Sequence, residues 1–179
     1  MKKIPAIVMM AVTNVSFAAD EIKAPANQGG GTIRFVGSII DAPCTISQES
    51  VDQTIEMGQI SNSLLEQQGE GVLRPFEIKL ENCASATAKK VTVYFNGISD
   101  DTAKTRLAIN GTAKGAAIAI VNQIDGSNIA LGTPTKAVAV LAGENHLKFG
   151  AKLVSNLTAG SKATPGEFSA IADFVMSYQ

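Results

Sequence analysis

FSAIADFVMSYQ, residues 168–179, ends the chain and alternates apolar residues with residues of mixed character. Because neighbouring residues of a strand point to opposite faces of a sheet, this pattern predicts a strand with one wholly apolar face. Chain ends usually fray into polar sequence, yet here the apolar face continues to the second-last residue. The residues of this face are Phe168, Ala170, Ala172, Phe174, Met176 and Tyr178.

Similar stretches recur along the chain, and turn signals separate them. Asn96–Gly97 and Asp125–Gly126 favour hairpin turns, since both residue types tolerate a positive φ. Many short strands with regular turns indicate an all-β sandwich, with a short helix predicted within residues 61–68. The predicted strands are Thr32–Val36, Thr54–Met57, Phe76–Glu81, Val91–Phe95, Ala116–Ile120, Val138–Leu141, His146–Val154 and Phe168–Tyr178.

The N-terminal end has the pattern of a secretory signal peptide. Lys2 and Lys3 precede the apolar run Ile4–Val12, and Val15–Ala18 then offers small residues at the two positions that a signal peptidase reads. We therefore predict that residues 1–18 are removed. The alternative cut after Ala19 is less suitable, because it places a bulky phenylalanine at the third position before the cut. The remaining length corresponds to one domain.

Export to an oxidising compartment predicts a disulfide between the two cysteines, Cys44 and Cys83. A bridge that closes a loop of about 40 residues stabilises a fold by about 4 kcal/mol in the loop-entropy treatment. Together with the single histidine, His146, these cysteines do not supply the four ligands of a structural zinc site. We expect no metal and no cofactor.

Composition and motifs argue against several classes of function. Fifteen Lys and Arg residues balance 16 Asp and Glu residues, so no basic surface for nucleic acid is expected. The sequence has none of the common motifs for zinc proteases, serine hydrolases or phosphate loops, and we predict no catalytic residue. We expect the carboxylate pair Asp100–Asp101 to be solvated in a turn and His146 to lie at the surface.

Residues 19–37 comprise a polar, glycine-rich arm together with the first predicted strand. Ile33 and Phe35 make an alternating apolar face, and Gly31 and Gly29 extend it backward with small residues. Glycine and proline in the arm disfavour a helix and contribute little to a core. The domain proper is predicted at residues 38–179.

Several motifs together carry a resemblance to a known family. The chain resembles the pilin subunits of chaperone–usher fimbriae, most closely the major rod pilins of the P pilus type, over its whole mature length. The matching pieces are Gly31–Phe35 with Gly37, Asp41–Ile46, Phe76–Cys83, Gly166–Ala170 and Ser177–Gln179.

The resemblance implies an incomplete immunoglobulin-like β-sandwich of six strands, which takes a seventh strand from another protein. Such strand addition between pilins and their chaperones is an established mode of recognition. A periplasmic chaperone would supply the strand first, and the arm of a neighbouring subunit would replace it at the outer-membrane usher, on the way to the cell surface. The implied donor residues are Gly29, Gly31, Ile33 and Phe35. The implied groove and chaperone-binding edge is Phe168, Ala170, Ala172, Phe174, Met176, Tyr178 and Gln179.

Some alternatives remain open at this stage. A minor pilin, either an adaptor or a base terminator, would share these motifs. A self-complete periplasmic β-sandwich with a binding function would need a seventh strand of its own. The run Gly29–Gly31 also allows the arm to shift by one or two residues along its groove.

Overall fold

The computed structural model describes residues 31–37, 39, 42–84 and 90–179. The chain divides after Ile39 into two units, and every strand and helix described here belongs to the second unit, Ile40–Gln179. The predicted signal peptide, residues 1–18, and the beginning of the arm lie outside the described residues.

Short strands make up most of the regular structure. Within the described residues, helix is confined to α1 (Gln48–Val51) and α2 (Asn62–Glu66), and α2 confirms the short helix predicted in residues 61–68. In the described part of the chain, no helix has the length and apolar character needed to cross a bilayer. The strands are β1 Thr45–Ile46, β2 Arg74–Cys83, β3 Lys90–Asn96, β4 Leu107–Ala108, β5 Asn110–Gly111, β6 Ala116–Asn122, β7 Val138–Ala139, β8 Gly143–Ser155, β9 Phe168–Ser169 and β10 Asp173–Tyr178.

The strands form two main sheets and one small one. The larger sheet has the order β1-β2-β8-β6-β4, the second has the order β10-β3-β7, and β5 pairs with β9. Every ladder between these strands is antiparallel. Six of the strands follow the immunoglobulin arrangement, in which the first, second, fifth and fourth strands share one sheet and the third and sixth share the other. The all-β sandwich predicted from the sequence is confirmed.

The core lies between the two main sheets and comes from the inward faces of their strands. Ile78 and Leu80 of β2 are 1% and 0% exposed, and Val91 and Val93 of β3 are buried equally well. In each pair the two residues are two positions apart, so both point to the same face of their strand. The alternating pattern of the sequence therefore places its apolar residues where the sheets meet.

The disulfide predicted from the sequence is present and joins Cys44 to Cys83. It lies beside the β1–β2 ladder, in which Thr45 pairs with Glu81 and Ile46 with Leu80. Both cysteines are buried. The bridge thus fixes the start of the domain to the end of its second strand.

Two predicted strands are absent from the structure. Residues 31–37 and residues 52–60 have no strand, although their side chains alternate as predicted at Thr32–Val36 and Thr54–Met57. A strand exists only where a neighbouring edge bonds to its backbone, and neither segment has such a neighbour among the described residues. The side chain of Gln53 instead donates a hydrogen bond of 2.8 Å to the backbone oxygen of Glu77.

The long strand predicted at Phe168–Tyr178 is interrupted at residues 170–172. β9 pairs with β5, whereas β10 pairs with β3, so the chain changes partners between the two segments. The crossing runs close to Gly97, where an added Cβ would come within 2.9 Å of the backbone oxygen of Ile171. The break follows from the change of partner, and the lack of a side chain at Gly97 leaves room for the crossing chain.

The prediction of a solvated Asp100–Asp101 pair is wrong. Arg106 lies 3.5 Å from a carboxylate oxygen of Asp100 and 3.7 Å from one of Asp101, and both carboxylates are largely covered. Hydrogen bonds from the Thr105 side chain, above all, lower the pKa of Asp101. The pair therefore fixes the loop between β3 and β4.

Candidate functional site

An open groove of about 1380 Å³ runs along the domain. One flank consists of residues 50–62, and the other consists of residues 163–174, which include β9. Exposed polar residues such as Asp52 and Glu167 stand at its rim, so the groove is accessible to solvent. The volume is several times that of a cavity left by a deleted core side chain, which is about 150 Å³.

The floor of the groove is the hydrophobic core itself. Protein interiors are normally close-packed, and unfilled apolar space costs stability. Half-buried Phe76 lies next to Phe95, with the two ring centroids 6.2 Å apart. A groove of this size and lining is therefore suited to an extended segment with apolar side chains. The floor residues are Phe76, Ile78, Phe95, Leu107, Ile118, Ile120 and Leu153.

β10, which continues the second flank, is the edge strand of its sheet. Lys90 and Gln179 exchange two backbone hydrogen bonds, each 3.0 Å long. Because hydrogen-bonded pairs recur at every second residue, Asp173, Val175 and Ser177 also direct their backbone groups toward β3. The N–H and C=O groups of the even-numbered residues consequently face the free edge, where an added strand can bind them.

The predicted groove residues fall into two groups. Phe168, Ala170, Ala172 and Phe174 line the groove. Met176 and Tyr178 do not line it but are half-buried against the core, and Gln179 is held by Lys90. Partial burial raises the pKa of the Tyr178 hydroxyl.

Two of the predicted donor residues have exposed apolar side chains. Ile33 is 78% exposed and Phe35 is 88% exposed. Gly31 lies in a segment without helix or strand, whereas Gly29 lies outside the described residues. An arm that exposes two large apolar side chains has the composition of a segment that binds elsewhere.

The first flank of the groove was not identified from the sequence. Ile55 and Met57 are half-buried and alternate with exposed neighbours, and all of them line the groove. The alternation at Thr54–Met57 was the available signal, but it indicated only a strand and not what the strand would face. Residues on the floor, such as Ile118 and Leu153, had no signal beyond their apolar character.

His146 lies away from the groove, on β8, between two carboxylates. Its Nδ1 is 3.1 Å from Glu77 and its Nε2 is 2.8 Å from Glu144. Hydrogen bonding to Glu77 and then to Glu144 raises the pKa of the imidazole. The exposed position agrees with the surface location predicted for this residue.

Comparison with known proteins identifies the family. A model of the fimbrial protein family matches residues 33–179. The Fimbria A protein of Serratia marcescens is 44% identical over 171 residues, which cover 96% of this chain and 97% of the relative.

Solved structures give the same result. The P pilus rod subunit PapA matches with a TM-score of 0.68 and 34% identity over 77% of this chain and 100% of the other. A subunit of a chaperone–usher pilus, from a structure that reveals the molecular basis of rod uncoiling, matches with a TM-score of 0.76 and 34% identity over 87% and 100%. The chain belongs to the fimbrial protein family and is a structural subunit of a surface fimbria of the chaperone–usher type.

Proposed function

We propose that this chain is the major, rod-forming subunit of its fimbria, and that its groove binds the N-terminal arm of a neighbouring copy. Residues 19–37 are the donor arm, and residues 38–179 are the receiving domain. Each copy then completes the sandwich of the next, and the result is a homopolymer. The similarity to a P pilus rod subunit supports the rod position.

One observation carries the proposal: the apolar groove is bordered by a free strand edge. The groove supplies space for apolar side chains, and β10 supplies backbone donors and acceptors that no other described strand pairs. A segment that satisfies both must be an extended strand with alternating apolar residues. Ile33 and Phe35 provide that alternation in the arm.

The apolar groove and the free edge of β10 also imply that the subunit needs assembly partners during export. A free edge beside exposed core is an aggregation hazard, so the subunit needs a substitute strand before it meets the next copy. A periplasmic chaperone provides this strand along β10, and the outer-membrane usher is the place where an arm replaces it. The signal peptide at residues 1–18 directs the chain into this route.

The proposal is tested with a recipient chain, residues 19–179, that carries Ile33→Asp and Phe35→Asp, so that its own arm does not enter a groove. The recipient is refolded with and without a peptide of residues 19–38, and its thermal unfolding is followed. Burial of two large apolar side chains and new backbone hydrogen bonds should raise Tm by at least about 10 °C at saturating peptide.

The control peptide carries the same two aspartates and should leave Tm unchanged. A recipient that unfolds at the same temperature with and without the wild-type peptide would contradict strand donation. If the recipient is monomeric and stable without any peptide, the domain is a self-complete sandwich instead.

A further inference from the structure

Arg34 lies between the two apolar donor residues of the arm, and Asp173 begins β10. We propose that Arg34 of one copy pairs with Asp173 of the next and thereby fixes the register of the arm along β10. The proposal rests on the function proposed above, in which the arm enters the groove. It specifies the register that the glycine run of the arm leaves open.

The free edge of β10 determines how an added strand can pair with Asp173. The backbone groups of Phe174, Met176 and Tyr178 face this edge, whereas those of Asp173 face β3. An antiparallel strand added there makes a non-hydrogen-bonded pair at Asp173. In such pairs the two Cα atoms are about 4.5 Å apart, and the side chains are at their closest.

The face of β10 on which Asp173 lies determines which arm residues can reach its side chain. Phe174 is half-buried against the core, whereas its neighbour Asp173 is exposed at the rim of the groove and points to the outer face of the sheet. In the arm, Ile33 and Phe35 point into the groove, which leaves Thr32, Arg34 and Val36 on that same outer face. Arg34 is the one cation among these outer residues, and opposite charges directly across a ladder stabilise it.

Both side chains are available for this pairing. Arg34 and Asp173 are exposed, and within the described residues neither has an ion-pair partner inside 4.0 Å. The other rim carboxylates are Asp52 and Glu56, on the first flank, where the backbone forms no strand, and Glu167, which precedes β9. They are the rival partners that the experiment must separate from Asp173.

The sizes of the side chains inside the groove disfavour a shift of the arm in one direction. If Arg34 is opposite Asp173 in an antiparallel pair, two of the three inner pairs set a small residue against a large one. The inner pairs are then Phe35 with Ala172, Ile33 with Phe174, and Gly31 with Met176. Moving the arm by two residues in one direction places Phe35 against Phe174 and Arg34 against Val175. Moving it in the other direction also matches small residues to large ones, but it places Arg34 against Ile171, where the cation meets no carboxylate.

A charge swap tests the pair in the recipient and peptide described above. A peptide with Arg34→Glu should bind the recipient about fivefold to tenfold more weakly than the wild-type peptide, because it sets like charges opposite each other. The recipient with Asp173→Lys should reverse this preference. Rescue by the reciprocal change also shows that the variant recipient still folds. A recipient with Glu56→Lys, the matched control, should retain the preference for the wild-type peptide.

Disulfide trapping tests the register independently of charge. A peptide with Arg34→Cys is offered to recipients with Asp173→Cys, Ile171→Cys or Val175→Cys. The spacing of a non-hydrogen-bonded pair lies within the range that a disulfide spans. Trapping should be strongest with Asp173→Cys, as quantified by mass spectrometry with the Cys44–Cys83 bridge intact.

The outcomes separate the two proposals. Preferential trapping at Ile171→Cys or Val175→Cys, or reversal of the charge preference by Glu56→Lys rather than by Asp173→Lys, would overturn the register and leave strand donation in place. Failure of the wild-type peptide to bind the unmodified recipient would instead overturn the proposed function.

Discussion

Phe76 and Phe95 meet edge to face at the floor of the groove, with ring centroids 6.2 Å apart and ring planes at 87°. This geometry is the preferred one for aromatic pairs. Phe95 is buried, whereas Phe76 is only half-buried because one side of its ring faces the groove. Phe76 is therefore placed to gain further burial when a strand fills the groove.

A substitution at Phe76 should weaken strand binding as well as the fold. In the recipient chain, Phe76→Ala should reduce the Tm gain given by the donor peptide, because the peptide loses an apolar partner. Phe149→Ala is the matched control: Phe149 also packs against Phe76 and is buried, but it does not line the groove. It should cost about 3–5 kcal/mol of unfolding free energy with or without peptide. Equal loss of the peptide effect in both variants would contradict this role of Phe76.

Filling the groove should block strand binding. Ala170 lines the groove, so Ala170→Phe should lower the affinity for the donor peptide by about tenfold or more, since overpacking costs roughly 1–3 kcal/mol. Val175 lies on the outer face of β10, and Val175→Phe is the control with the same new side chain. Peptide titrations followed by intrinsic fluorescence or calorimetry would measure both. Unchanged affinity in Ala170→Phe would show that the strand binds elsewhere.

Loss of the disulfide should destabilise the domain but should not prevent the groove from binding the donor peptide. The bridge joins cysteines 39 residues apart, and its removal by Cys44→Ser with Cys83→Ser should cost about 2–4 kcal/mol. Denaturant unfolding of the peptide-bound recipient would measure this cost. The wild-type chain treated with a reductant is the control and should match the variant. A cost well under about 1 kcal/mol would mean that the β1–β2 ladder alone fixes this corner.

The His146 cluster should give stability a small dependence on pH. The folded-state pKa of His146 is raised above 6.5, so the protonated form stabilises the fold; this contribution is complete below pH 6.5 and is lost as pH rises through the raised pKa. The pKa of Glu144 is lowered, chiefly by its hydrogen bond to His146, so its contribution is present above pH 4.5 and is lost as pH falls through the lowered value. The cluster therefore stabilises the fold most between the two transitions.

NMR titration would check this directly, because the chain has a single histidine. The His146 ring protons should titrate above pH 6.5, and Glu77→Gln should move the midpoint down. Lys79 also neighbours Glu144, and its pKa is raised by hydrogen bonds to Glu81 and Glu144, so Lys79→Gln is a useful second variant. A histidine midpoint at or below 6.5 in the wild-type chain would contradict the arrangement.

The alternation of apolar and polar residues predicted which face of each strand is buried. It could not predict which distant residues lie close together in the fold. The pattern at Phe168–Tyr178 identified the residues that line or support the groove, and the strands at Phe76–Glu81 and Val91–Phe95 were confirmed. Periodicity follows from local backbone geometry, which the sequence determines residue by residue. The disulfide was predictable because export leaves two cysteines little alternative.

Features that depend on distant partners were not predictable in the same way. The break at residues 170–172 follows from a change of partner strand, and the covering of Asp100 follows from Arg106 together with a hydrogen bond of 2.7 Å from Asn156. The floor of the groove likewise collects residues from several strands. Such contacts form only when the chain has folded, so no local sequence pattern predicts them.

The position of the disulfide has a mechanical consequence for a fibre under tension. If the arm is pulled, force enters the domain near Cys44, crosses the bridge to Cys83 and continues along the backbone to Lys90, where β3 begins. From β3 the force would pass across the backbone hydrogen bonds to β10 and, in the proposed polymer, to the arm bound beside it. The tension would thus be transmitted along a short route, part of which is covalent. Residues 45–82 and 97–172 lie outside this route, so the flanks of the groove would carry little of the load while the fibre stretches.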